Sequence, residues 1–147
     1  MMKQVLTTAL ISLGIGYLCQ VVQTVGQTQY LNEFLKANLI SLLIALLAIN
    51  SATMGIVLTK IRDLIDKKGA GSESFTATKS EMLLSIKEQI GLIALSVIIL
   101  TFSESVFISS GTDLKSAMSV ALCAIFAYSM LNLYDMAKSV IIIIDYD

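Results

Sequence analysis

The chain has 147 residues, of which 56% are hydrophobic and only 14% charged, with a formal net charge of −1. Globular domains carry about a quarter charged residues, so the balance points to lipid rather than water as the solvent. It leaves no basic footprint for nucleic acid, and the absence of His removes the commonest general base and metal ligand.

The phosphate-binding patterns GxxxxGK[ST] and GxGxxG are absent as well. With no Pro, each uncharged window reads as one continuous helix. The first window starts at Val5 and gives a span over about 5–26. A secretory signal peptide is the competing reading. The apolar run is long for a signal core, and Thr24-Val25-Gly26 is a poor cleavage site, so a retained transmembrane helix is expected. The same tripeptide echoes a potassium filter, but a filter needs a pore helix before it, and here a spanning helix precedes it directly. Ser12, Gly16, Gln20, Gln23 and Gln27 recur in steps of three and four, which places them on one helical face. Amides facing lipid are costly. That face therefore either hydrogen-bonds to other helices or lines a narrow aqueous path. Cys19 and Cys123 both fall in apolar windows and read as small packing residues.

A short polar connection, Gln27 to Lys36, carries Tyr30 and Phe34 as interfacial aromatics. The second span follows over about 37–60. Its uncharged stretch, Ala37 to Thr59, would form a helix of roughly 35 Å, enough to cross a bilayer. Asn38, Ser41, Ala45, Ala48, Ala52, Gly55 and Thr59 form a seam in alternating steps of three and four, the rhythm of two helices packed together. Asn50 lies on another face and needs either an interhelical partner or a pore to face. The helical pattern continues through Lys68 and breaks at Gly69 to Ser74. It resumes with Thr78-Lys79-Ser80-Glu81, which reads as a capping box. Residues 60–88 thus read as a cytoplasmic helical hairpin extending the second and third spans.

The third span covers about 86–107, with Gln89, Ser96 and Ser103 on a packing face. Glu104 near its end is either an interfacial acid or part of a ring of acids at a cation pathway. Ser109 to Asp113 forms an external turn, and the fourth span runs over about 115–136, with Ala117, Ala121, Ala124 and Ala127 as its small face. The apolar tail Val140 to Ile144 either extends that helix or packs on the hairpin.

Four spans put both termini on the side of the hairpin. That side holds Lys3, Lys60, Arg62, Lys67, Lys68, Lys79, Lys87 and Lys138, against only Lys36 and Lys115 on the other. The positive-inside rule then makes both termini cytoplasmic, in a multi-pass protein of the cell inner membrane. An enzyme is not expected, because the spans contain no catalytic or metal-binding constellation, and no cofactor is implied. The expected class is an all-α integral membrane protein with lipid and further copies of itself as partners. Gln20, Gln23, Gln27, Asn50 and Glu104 are its candidate pore or polar face, and Ser41, Ala45, Ala48, Ala52 and Gly55 its packing seam. Two functions fit: a homo-oligomeric pore or membrane-permeability effector, or a non-catalytic anchor whose hairpin, 60–88, recruits a soluble partner.

The segments LLIALLAINSATMGIVLTKIRDL and FTATKSEMLLSIKEQIGLI resemble a family of small uncharacterised bacterial four-helix membrane proteins. The layout, including NLYDMAKS after the fourth span, is similar to that of the membrane component of the lambda phage exclusion system. The resemblance implies a role in phage defence by abortive infection through membrane permeability, and it carries over no site residue.

Overall fold

The structure, a computed structural model, describes residues 2–68, 75–103 and 112–144. Among the described residues it contains four helices: α1 (Met2–Val25), α2 (Tyr30–Lys68), α3 (Thr76–Ser103) and α4 (Thr112–Ile144). Each contains a stretch long and apolar enough to cross a membrane: Val5–Val25, Tyr30–Asp63, Thr78–Ser103 and Leu114–Lys138. At 39 residues α2 is roughly 58 Å long, about twice the thickness of a hydrocarbon core.

Several polar side chains are buried while large apolar ones face outward. Gln89, Asn50, Ser96, Ser129 and Ser12 are almost fully buried, whereas Leu6, Leu10, Leu18, Val22, Ile44, Ile56 and Ile98 face outward. Beside an apolar core, so many outward-facing large apolar side chains depart from the pattern water imposes.

Helix α1 closes with a Schellman turn. The Gln27 N–H donates to the Thr24 carbonyl at 3.2 Å and the Thr28 N–H to the Gln23 carbonyl at 3.0 Å. Gln27 takes the left-handed conformation at φ 49° that this turn requires. Helix α2 then starts at Tyr30, so the stretch read as a polar connection to Lys36 is mostly helix. The reason is capping from across the turn. Thr28 Oγ1 accepts the Tyr30 N–H at 3.3 Å, and Gln23 Oε1 accepts the Asn32 N–H at 3.1 Å. Two of the otherwise unpartnered first-turn donors are thereby satisfied. Glu33 in the same turn complements the helix dipole.

The start of α3 also differs from expectation. It has already begun at Thr76, so Thr78 lies within the first turn instead of capping it. Glu104 and Gly69 to Ser74, and most of the turn before α4, lie outside the described residues.

Helix α4 is the hub, packing against α1, α2 and α3. Of its apolar window 44% is buried, against 11% for α1. Its small face makes close approach possible. A Cβ on Gly16 of α1 would stand 2.6 Å from the Val120 carbonyl oxygen and 2.9 Å from the Ala124 nitrogen, so only glycine fits there. Two apolar clusters fill the interior. One joins Leu35, Leu39 and Leu43 of α2 to Leu122, Cys123 and Ile125 of α4, with Cys19 against it; both cysteines are free thiols. The other joins Val57 and Ile61 to Phe75, Met82 and Met136, with Val140 packed against it. Of the two readings of the apolar tail, α4 does extend through it to Ile144, and Val140 within it also packs beside the α2 and α3 segments.

Candidate functional site

The turn after α1, the start of α2, the end of α3 and the start of α4 meet around a cleft of about 630 Å³. Its walls carry Gln20, Gln23, Thr24 and Gln27 from α1 and its turn, Thr28, Gln29, Asn32 and Lys36 leading into α2, Ser103 of α3, and Lys115, Ser116, Met118 and Ser119 of α4. Three residues of the expected polar face, Gln20, Gln23 and Gln27, therefore share one cavity. They do not play one role. Gln23 is buried and committed: it caps α2 through Asn32, and its amide reaches the Cys19 carbonyl at 3.5 Å. Gln20 is half-buried and Gln27 exposed along the wall. The deeper members of the stripe, Ser12 and Gly16, are buried; Ser12 donates to its own helix at the Thr8 carbonyl.

Two polar atoms at this end of the bundle are buried and unsatisfied, Ser119 Oγ and Asn32 Oδ1. Lys36 and Lys115 are exposed on the same walls, and no acidic side chain lines the cleft among the described residues. Further along the helices, the cluster of Leu35, Leu39, Leu43, Leu122 and Ile125 closes the interior of a single chain.

Asn50 belongs to a different place. It is fully buried and donates from Nδ2 to Gln89 Oε1 at 2.8 Å, joining α2 to α3. Nearby contacts join α3 to α4: Asn132 Nδ2 donates to the Ser85 carbonyl at 3.0 Å, Ser85 Oγ donates to Asn132 Oδ1, and Tyr128 Oη donates to Glu88 Oε2 at 3.0 Å. These bonds fix helix register and do not border the cleft. The small seam of α2 takes the opposite position. Ser41, Ala45, Ala48, Ala52 and Gly55 are all exposed, and a Cβ on Gly55 would meet nothing within 4 Å. Among the described residues the seam stays exposed.

Sequence reasoning used Lys36 and Lys115 only to orient the chain and did not single out Asn32 or Ser119. The signal available was that these lysines are the only Lys or Arg residues between Lys3 and Lys60 and between Lys87 and Lys138, respectively. Compared with known proteins, the chain matches no family model, no curated protein and no solved structure.

Proposed function

We propose that the protein is an oligomeric inner-membrane protein that controls membrane permeability, with the polar cleft as its vestibule. The observation that carries this reading is the cleft itself: Gln20 and Gln27 remain available on its walls instead of being consumed by packing between helices. An amide-lined cavity of this size holds water, whereas amides with nothing to do would be replaced by apolar residues at little cost. The apolar cluster behind the cleft closes a lone chain, so a continuous path requires several copies or a shift of α2. The exposed small face of α2 is the surface through which copies would associate. Under the charge asymmetry, both termini and the segment joining α2 to α3 are cytoplasmic and the cleft opens on the other side. A role in abortive infection belongs to the same proposal and rests on the resemblance in layout.

The test is conductance of the purified chain in a planar bilayer. Gln20→Leu with Gln27→Leu should change single-channel conductance or ion preference; Gln23 is unsuited because it caps α2. No conductance under voltage, pH or osmotic stimulus, with a soluble protein recovered in stable complex, would favour the second reading. In that reading the chain anchors a partner through 60–88. Its support is the cluster of Val57, Ile61, Phe75, Met82 and Met136, which ties the ends of α2 and α3 to α4 as one stiff platform.

A further inference from the structure

The cleft carries cationic groups as well as amides. Lys36 and Lys115 come from different helices and share one cavity, and neither makes an ion pair among the described residues. Among the described residues the lining carries these two cations and no carboxylate. The N-terminal ends of α2 and α4 add to this field. The opposing C-terminal carbonyls of α1 are occupied by the Gly26, Gln27 and Thr28 amides. Ser119 is 4% exposed and lines the cleft with its Oγ unpartnered; Asn32 lines it with a buried, unpartnered Oδ1. A buried polar atom left without a partner is destabilising, and a ligand that supplies the partner relieves it. Ser119 can donate to an anionic oxygen, while Asn32 Oδ1 can only accept. A phosphate that bears or adjoins a hydroxyl offers an acceptor to Ser119 and a donor to Asn32 while its charge answers the two lysines.

We infer that the cleft binds a phosphate group bearing or adjoining a hydroxyl, held by Lys36, Lys115 and Ser119 with Asn32 accepting the hydroxyl. Gln20 and Gln27 complete the wall. A phosphoglycerol lipid headgroup presents this chemistry at the membrane surface, and hydrogen phosphate presents it in solution. The cleft volume of about 630 Å³ suits a headgroup and lies in the usual range of small-ligand sites. The inference does not rest on ion conduction: a chain that binds but does not conduct leaves it standing, and a chain that conducts without binding overturns it alone.

The experiment is native mass spectrometry of the full chain released from detergent and titrated with short-chain phosphatidylglycerol or phosphatidylcholine. Phosphatidylglycerol should bind about tenfold tighter or more, a difference of about 1.4 kcal/mol. Lys36→Gln with Lys115→Gln should remove that preference. Ser119→Ala, which leaves every charge in place, should weaken phosphatidylglycerol several-fold. Circular dichroism checks that the variants keep their helicity. If a variant loses it, wild-type lysine acetylation decides, with Lys36 and Lys115 protected by phosphatidylglycerol and Lys3 and Lys79 not. Competition by millimolar inorganic phosphate would identify the soluble source, and its failure to compete the lipid source. Equal affinity for the two lipids with no binding of inorganic phosphate, no effect of the lysine and serine changes in folded variants, or no protection of the two lysines by either ligand would each overturn the assignment.

Discussion

Asn50 of α2 and Gln89 of α3 make half of an amide pair. The Asn50 Nδ2 hydrogen bonds Gln89 Oε1 at 2.8 Å, while Asn50 Oδ1 and Gln89 Nε2, which would form the reciprocal bond, have no partner. Both side chains are fully buried. In an apolar bundle such a bond sets which residue of α2 faces which residue of α3, because sliding either helix would strand two amides. Asn50→Leu or Gln89→Leu alone leaves a buried amide unpaired and should destabilise the bundle by about 1–3 kcal/mol. The double change should cost less than the sum, with a coupling of about 0.6–1.7 kcal/mol. Reversible unfolding in mixed detergent micelles measures all four corners of the cycle. Strict additivity would mean the pair does not bond in the membrane.

Gly16 offers the sharpest steric test. A methyl group there meets backbone atoms of α4, which cannot rotate away. Gly16→Ala should destabilise the α1 to α4 contact by about 1–3 kcal/mol. Gly55→Ala, where the new atom meets nothing, should be neutral or slightly stabilising for the single chain, through helix propensity. Thermal unfolding of the two variants in one detergent compares them directly.

Gln27 holds a left-handed backbone that glycine would adopt without steric cost. Gln27→Gly should stabilise the turn by up to about 1 kcal/mol, as removal of such a penalty does. It should also change the behaviour of the cleft, since the lost amide lines it. A higher midpoint of unfolding together with altered bilayer conductance is the expected pair of results.

Self-association has its own test. Ala48→Leu with Gly55→Leu fills the seam at two exposed positions, and at Gly55 an added Cβ meets nothing within 4 Å. Cross-linking in membranes should shift from oligomer to monomer with helicity unchanged. An unchanged ladder would move the contact to another face.

Much of the architecture is legible in the pattern of charges and apolar runs. Four uncharged windows without Pro give four helices, since hydropathy is local and unbroken windows leave the backbone no other way to satisfy itself in lipid. Helix ends are less legible. Tyr30 starts α2 because Gln23 caps it from the previous helix, a bond that exists only once the turn has formed. The site shows the same divide. The spacing of Gln20, Gln23 and Gln27 puts them on one side of α1, but it cannot separate the amide that braces the turn from the two that remain on the wall. Nor could it pair Lys36 with Lys115, whose approach depends on how α4 returns to the bundle. The seam was readable as a packing pattern, yet which side of α2 the chain itself occupies was decided by Leu35, Leu39, Leu43 and Asn50 on the other face.

The central place of α4 bears on how the protein is made. α1 packs chiefly on α4, which leaves the ribosome after α2 and α3, so the first helix must wait for its main partner while the helices between them are synthesised. Gly16 has no partner backbone until Val120 and Ala124 arrive. The longest-range contacts therefore close last, which makes final docking the slow step and leaves the waiting span exposed to quality-control proteases. A truncation before α4 would release three spans without their common neighbour, so its expected signature is rapid turnover in the membrane.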